Sequence, residues 1–258
     1  MCKAAKLEAL KNWTIEQFLP LYEDLFEMND KKDISVITAI AGGKDKLLPQ
    51  PEYKGVEYIA FVDEKVKHPP WKTRDVCDKF AKPVMNAKIH KVLSHTYVDT
   101  PYIVWVDGNI TLKQDPHKLV KLMGDKDFAF FTHPRRDCIY EEADACIHLQ
   151  KGDSGEITEQ ITEYKKNTHP EHGGLCELTA FIRKNTPEAN EAFEKWWIEI
   201  TRYSERDQLS FPVVFKEKKW ATIPGTVEEI KCDPIFRGNE FFRLIAHKKL
   251  TERDHGRI

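Results

Sequence analysis

The stretch YIVWVDGNITL, residues 102–112, is the most informative part of this sequence. Its first five residues, 102–106, are apolar or aromatic and have high β propensity, which predicts a buried strand. The strand leads directly into Asp107, Gly108 and Asn109. In an open α/β sheet, the ligand crevice lies at the C-terminal ends of the strands. The stretch therefore predicts oxygen ligands for Mg²⁺ or Mn²⁺ at such a crevice, with an ordinary hairpin or βα turn as the alternative.

Strands and helices alternate on both sides of this stretch. Buried strands are predicted at 33–40, 56–62, 127–132 and 177–183, and helices at 75–95, 137–149, 156–166 and 187–203, with a short helix starting at Asp115-Pro116. This alternation predicts an α/β fold with a mainly parallel, mixed central sheet flanked by helices. No linker or repeat divides the chain, so a single domain is predicted over residues 1–258. Within it, residues 1–30 are expected to form N-terminal helices and residues 237–258 a basic C-terminal tail.

The composition is typical of a globular protein. Of the 258 residues, 41% are hydrophobic and 32% are charged, and the net charge is −2, which gives no global attraction to nucleic acid. The six cysteines are scattered without a C-x-x-C pair, which predicts reduced thiols rather than disulfides or a zinc site. No apolar run approaches the about 18 residues that a membrane span needs, and the first residues lack a signal-peptide core. We therefore expect a cytoplasmic protein with no membrane span.

Other polar residues also follow predicted strands. A glycine pair ending at Gly43 follows the first strand, where backbone could approach a ligand closely or simply turn. Asp63 follows the second strand, where it could bind a ribose or a base, or only cap the strand end. Lys88, Lys91 and His95 share one face of a helix, which could meet a diphosphate or be an ordinary solvated basic face.

Two later segments add charged candidates. Residues 133–136 place two arginines after a strand and before a helix, and guanidinium groups match phosphate or carboxylate geometry. A surface ion-pair cluster is the alternative there. Asp207 stands between Arg206 and Gln208, which could hold and orient it as a base for an acceptor hydroxyl, or it could cap a short helix. Glu199, on the preceding helix, is a further catalytic candidate.

Taken together, these motifs resemble a known family. In order along residues 34–215 they are T-A-I-x-G-G-x-D-x-L, F-V-D, W-V-D-G-N, H-P-x-R-D-C-x-Y-E-E and R-D-Q-L-S-F. They resemble the glycosyltransferase-like family long described as a domain of unknown function, which includes plant mucilage-related proteins and bacterial and phage members. That family is similar to GT-A nucleotide-sugar transferases, whose D-x-D element binds a divalent metal and the donor diphosphate. The resemblance implies a GT-A-like fold for this chain.

The resemblance also implies roles for individual residues. Asp107 and Asn109 take the D-x-D-like positions and would hold Mn²⁺ or Mg²⁺, with His247 as a third ligand near the chain end. Asp207, with Arg206 and Glu199, would lie close to the sugar and the acceptor. The residues that would contact the nucleotide-sugar donor are Thr38, Ala39, Ile40, Gly43, Asp63, Lys88, Asp107, Gly108, His133 and Arg136.

The function implied is metal-dependent transfer of a sugar from a nucleotide-sugar, expected to be a UDP-sugar, to a hydroxyl acceptor. The acceptor would be a glycan or a hydroxymethylated DNA base, and Asp207 would deprotonate it if the transfer inverts the anomeric centre. The cytoplasm would be that of a bacterium, or of a host cell if the chain is phage-encoded. The alternative is a non-catalytic sugar-nucleotide or glycan-binding module of the same fold. A metal-dependent phosphohydrolase has less support, because no second carboxylate cluster follows the Asp-Gly-Asn turn.

Overall fold

The computed structural model describes residues 31–64, 67–225 and 237–245. These residues form ten strands, numbered along the chain: β1 Ile34–Ile40, β2 Val56–Val62, β3 Lys72–Asp75, β4 Tyr102–Val106, β5 Ile110–Leu112, β6 Phe128–Thr132, β7 Cys176–Lys184, β8 Ala221–Thr222, β9 Arg237–Gly238 and β10 Phe242–Leu244. Seven of them make one sheet in the order β3-β2-β1-β4-β7-β6-β8. The other three make a small sheet in the order β5-β10-β9.

The large sheet is mixed but mainly parallel, as predicted. β1 pairs in parallel with β2 and β4, and β2 pairs in parallel with β3. β7 is antiparallel to both β4 and β6, and β8 runs parallel to β6. Every residue of β1 is buried, because a central parallel strand is covered on both faces.

The described residues also form six helices: α1 Pro83–Val92, α2 His117–Met123, α3 Ile139–His148, α4 Ser154–Lys166, α5 Pro187–Arg202 and α6 Asp207–Phe215. The helix predicted over 75–95 begins only at Pro83, because proline lacks an N–H and favours the first helical position. Residues 72–75 instead form the edge strand β3. The helices predicted for residues 1–30 lie outside the described residues. In the ranges that the structure describes, no helix has the length and apolar character needed to cross a membrane.

Apolar side chains pack against both faces of the large sheet. On one face, residues of β1 such as Ile37 pack with α1, α5 and α6, where Trp196 and Phe211 are fully buried. On the other face, the core includes Leu119 of α2 and Phe242 of β10. Residues 237–245, predicted as part of a basic tail, therefore belong to the packed fold, because β10 pairs with β5 and buries an aromatic ring. The rest of that predicted tail, 246–258, lies outside the described residues.

Candidate functional site

A cavity of about 610 Å³ lies at the C-terminal ends of β1 and β4. β7 runs antiparallel to its neighbours and so brings its N-terminal half to the same edge, where Asp107 N donates to Thr179 O at 2.8 Å. α1 contributes Lys88 and Lys91 to the wall, and the start of α6 contributes Asp207. The cavity therefore occupies the edge at which ligands bind in open α/β sheets.

Asp107 presents its carboxylate to this cavity, with 36% of the side chain exposed. Its Oδ1 accepts a hydrogen bond from Trp105 Nε1 at 2.8 Å and lies 4.0 Å from Lys91 Nζ. The following turn packs tightly on β1, because a Cβ added to Gly108 would lie 2.7 Å from Ile40 Cγ1. A glycine at this position lets the Asp107 turn sit directly against the strand end.

A buried group of three charges faces Asp107. Lys88 Nζ lies 3.0 Å from Asp207 Oδ1, and Lys91 Nζ lies 2.8 Å from Asp207 Oδ2. Burial by itself raises the pKa of Asp207, but the charges of Lys88, Lys91 and Arg206 outweigh it and hold that pKa far below its usual range. Burial lowers the pKa of Lys88 to about 8, although the Asp207 carboxylate opposes the shift.

The position of Asp207 is fixed by the core beneath it. Trp196 Nε1, on α5, lies 3.2 Å from Asp207 O and also 3.2 Å from Ser210 Oγ, both in the first turn of α6. On the other side, Arg206 Nη2 donates to Gln208 Oε1 at 3.0 Å. Asp207 is therefore held in place mainly by the Trp196 indole, which contacts its backbone, and by Lys88 and Lys91, which contact its carboxylate. The adjacent arginine, which was predicted to orient it, donates to Gln208 instead.

A second charged cluster, the Glu142 cluster, lies behind Arg206. Glu142 of α3 is buried, and its Oε2 lies 2.6 Å from both Nε and Nη2 of Arg136. His133 Nε2 lies 3.8 Å from Glu142 Oε2, and Arg206 Nη2 lies 3.9 Å from Glu142 Oε1. His133 and Arg136 are therefore directed toward Glu142 and do not line the cavity, whereas Arg206 connects the two groups.

The structure divides the residues predicted to contact the donor. Those that line the cavity are Ala39, Ile40, Lys88, Asp107 and Gly108. Thr38 is buried within the sheet, and its Oγ1 has no hydrogen-bond partner among the described residues. Gly43 N donates to Asp63 Oδ2 at 3.2 Å, next to the cavity-lining residues Gly42 and Lys44.

Glu199, predicted as a catalytic residue, lies away from this cavity. Its Oε2 accepts a hydrogen bond from Tyr164 OH at 2.6 Å, which joins α5 to α4. The tyrosine hydroxyl accepts in turn from Gln160 Nε2 at 3.1 Å. Glu199 lies on the helix that the sequence predicts, but the helix turns this carboxylate toward α4. The side chain therefore links two helices and does not line the cavity.

The predicted metal ligands do not converge within the described residues. Asn109 is buried, and its Nδ2 donates to Ile245 O at 2.9 Å, so its side chain holds the last described segment instead of lining the cavity. His247 lies outside the described residues. Within them, no three His, Cys, Asp or Glu side chains come together as ligands for a metal. Of the predicted ligands that the structure describes, Asp107 presents its carboxylate to the cavity, and proteins often hold Mg²⁺ through one or two carboxylates together with water and substrate phosphates.

Sequence reasoning missed Asp45 as a site residue. Asp45 lines the cavity, and its Cβ lies 3.5 Å from the position that a Cβ on Gly108 would take. The aspartate of the G-G-x-D motif was a visible signal for it. Thr179 of β7 was also missed, because its place at this edge depends on the reversed direction of that strand.

The chain is similar in sequence to known glycosyltransferase-like proteins. The family model of the TOD1/MUCI70 glycosyltransferase-like domain matches residues 70–230, more than half of the chain. The chain is 26% identical over 223 residues to an Arabidopsis thaliana protein named probable hexosyltransferase MUCI70, covering 74% of this chain and 38% of that relative. The chain thus spans about two fifths of the length of this curated relative.

Solved structures with some similarity are also glycosyltransferases. The apo form of GlyE from Streptococcus pneumoniae TIGR4 aligns over 75% of this chain and 45% of its own, with 10% identity and a TM-score of 0.41. The apo structure of the bifunctional glycosyltransferase WbbM aligns over 72% of this chain and 38% of its own, with 12% identity and a TM-score of 0.40. The fold assignment above rests on the strand order of the sheet itself.

Proposed function

This chain belongs to the TOD1/MUCI70 glycosyltransferase-like family, and on that premise we propose that it transfers a hexosyl group from a nucleotide-sugar, a UDP-sugar, to a hydroxyl acceptor. The observation that supports the proposal is the cavity at the ends of β1 and β4, which combines the Asp107 carboxylate with buried cationic side chains. The Arabidopsis relative is named a probable hexosyltransferase, which favours the same reaction class.

The cavity is lined by both apolar and charged side chains. Ala39, Ile40 and Pro83 are among the apolar residues, against which a flat nucleobase would pack. Asp107 is among the charged residues, held in place by the Trp105 indole. A bound Mn²⁺ or Mg²⁺ would be held by Asp107 together with donor phosphate oxygens, and it would supply positive charge to the departing diphosphate.

The acceptor must offer a hydroxyl group, and the two classes proposed here are a glycan and a hydroxymethylated DNA base. A DNA acceptor would bind through phosphate contacts, so its affinity would fall steeply as salt is raised. Incubating the protein with donor and either acceptor, followed by mass spectrometry of the products, distinguishes the two. A mass increase of one hexosyl unit on the acceptor identifies the substrate class.

The function is tested first at Asp107. UDP-, GDP- and CMP-sugars are titrated into the protein by calorimetry with Mn²⁺ and then with EDTA, and release of the nucleoside diphosphate or monophosphate is followed. We expect UDP-sugars to bind and to be turned over, and Asp107→Ala to lose the part of the affinity that depends on Mn²⁺. The loss in turnover should be on the order of a hundredfold, as for removal of one electrostatic group from an active site.

Asp144→Ala is the matched control, because Asp144 is an exposed carboxylate on α3 outside the cavity. It should bind and turn over the donor as the wild-type protein does. Undiminished turnover in Asp107→Ala would contradict the proposal. Tight donor binding by the wild-type protein without turnover on any acceptor would instead support the alternative, a non-catalytic sugar-nucleotide-binding module.

A further inference from the structure

We propose that Lys88 and Lys91 form a fixed cationic cradle for the donor diphosphate, and that Asp207 is the counter-ion that positions them rather than the base that takes the acceptor's proton. The inference rests on the proposed function, because it requires a nucleoside diphosphate in the cavity. It changes the role that sequence reasoning gave to Asp207 and joins Lys91 to Lys88 through that carboxylate.

The contacts of Asp207 argue against its acting as a base. Each of its two carboxylate oxygens faces a different ammonium group, Lys88 Nζ at 3.0 Å and Lys91 Nζ at 2.8 Å. Only 7% of its side chain is exposed. A general base needs a carboxylate oxygen within hydrogen-bond distance of the acceptor hydroxyl and a pKa near the working pH. The surrounding cations hold the pKa of Asp207 far below that range, although burial alone would raise it.

The contacts of the two lysines favour an anionic ligand. An ammonium group has three N–H donors, so an ion pair with Asp207 leaves donors for a second partner. Both lysines line the cavity, and Lys91 Nζ lies 4.0 Å from Asp107 Oδ1 and 5.9 Å from the centre of the Trp105 ring. Lys91 therefore lies between Asp207 and Asp107, at the place where the D-x-D-like turn meets α1.

The charges next to Asp207 leave cationic groups for a diphosphate. Lys88, Lys91 and Arg206 surround this carboxylate, although Arg206 is shared with Glu142 at 3.9 Å, and Lys44, Asp45 and Asp107 are the other charged groups that line the cavity. A purely structural ion cluster in the protein interior is expected to be neutralised by its own members, because unpaired buried charge is costly. Preorganised cations in a concave, partly dry site are the arrangement that stabilises a multiply charged anion.

The experiment compares UDP with uridine, which lacks the diphosphate. Both are titrated by calorimetry into the wild-type protein, Lys88→Met and Lys91→Met, with Mn²⁺ present and again with EDTA. We expect each substitution to weaken UDP binding about tenfold to a hundredfold, the usual effect of one charge-assisted hydrogen bond. Uridine should bind each variant as it binds the wild-type protein, because the nucleoside does not contact the cradle.

Lys82→Met is the matched control. Lys82 is also a lysine of the α1 region, but it pairs with Glu156 at 2.9 Å and Glu205 at 3.0 Å outside the cavity. Its loss should leave UDP binding unchanged. The proposed cradle is wrong if the Lys88 and Lys91 variants bind UDP as tightly as the wild-type protein does. It is also wrong if they lose affinity for UDP and for uridine equally. Wild-type protein that binds no UDP at all would overturn the proposed function as well.

Asp207→Asn separates the two roles of Asp207, since the amide keeps the shape of the side chain. A positioning counter-ion predicts weaker UDP binding and a higher KM for the donor. As the pH is raised, UDP binding should also be lost at a lower pH than in the wild-type protein. The reason is that Lys88, whose pKa is about 8, would lose its main anionic partner and become neutral earlier. A base instead predicts a large fall in kcat with UDP affinity and its pH dependence unchanged, and that result would overturn the inference.

Discussion

Glu142 is the residue on which the charged cluster behind the cavity depends. It is buried, and its Oε2 lies 2.6 Å from Arg136 Nη2. Nitrogen atoms of His133 and Arg206 lie within 4.0 Å of the same carboxylate. Removing its carboxylate would leave the two arginines without their common anion. We therefore expect Glu142→Ala to lower the free energy of unfolding by about 3 kcal/mol, the lower end for breaking a buried ion pair. Urea unfolding followed by circular dichroism measures this.

Glu141 provides the control for that measurement, because it is the neighbouring glutamate on α3 and is exposed. Glu141→Ala should change the free energy of unfolding by less than about 0.5 kcal/mol, as exposed substitutions usually do. Equal effects of the two substitutions would show that the Glu142 cluster contributes little to stability.

Single residues show how far the sequence predicts the site. A strand end and a helix face were sufficient to predict that Asp107 and Lys88 lie at this edge of the sheet, because each position depends on local periodicity. The directions of Glu199 and Asn109 were not predictable in this way. Their side chains are bound by Tyr164 and by the carbonyl of Ile245, which are distant in sequence. The long-range partner decides where such a polar side chain points, and local pattern carries no signal for it.

The direction of a strand is the corresponding difficulty at the scale of elements. The apolar run of β7 predicted a strand within one residue of each of its ends, Cys176 and Lys184. Its antiparallel direction was not predicted, since α3 and α4 precede it as they would precede a parallel strand. This reversal brings Thr179 beside Asp107. The contribution of β7 to the cavity wall therefore depends on the direction of the strand, which a pattern of apolar residues does not encode.

The junction of α2 with β1 has a charge-dependent contact that predicts how stability varies with pH. His117 Nε2 lies 3.1 Å from Asp33 Oδ1, and its Nδ1 contacts Asp115. Burial lowers the pKa of His117, but the hydrogen bonds to the two carboxylates outweigh it and raise that pKa above its usual value. A raised pKa in the folded state contributes stability below the unfolded pKa of about 6.5, and the contribution is lost as pH rises through the folded pKa.

His117→Gln tests this contact, because glutamine can donate a hydrogen bond but carries no charge. We expect its Tm to fall below that of the wild-type protein at pH about 5.5 and to approach the wild-type value at pH about 8.5. Differential scanning calorimetry at the two pH values measures the difference. A Tm difference that grows toward alkaline pH would contradict the sign of the shift.

At the scale of the whole molecule, the two sheets meet at the Asp107 turn. The turn leaves β4 in the large sheet and enters β5 in the small one, where β10 pairs with β5. The family model matches residues 70–230, whereas the cavity also uses Ala39 and Ile40 of β1, and the turn is held by Ile245. The site therefore depends on segments on both sides of the matched region.

The last prediction concerns the residue that joins these parts. Asn109 exchanges two hydrogen bonds with Ile245, donating from Nδ2 at 2.9 Å and accepting the Ile245 N–H through its backbone oxygen at 2.8 Å. Asn109→Asp would restore a strict D-x-D sequence but would turn a carboxylate oxygen toward the Ile245 carbonyl. We expect the free energy of unfolding to fall by about 1–3 kcal/mol, the cost of an unsatisfied buried polar group. Asn109→Ala loses the side-chain hydrogen bond without adding charge, so its free energy of unfolding should fall less than that of Asn109→Asp. If Asn109 is instead a metal ligand, Asn109→Asp should keep wild-type stability and bind Mn²⁺ more tightly by calorimetry, which would contradict its role as the link between the turn and β10.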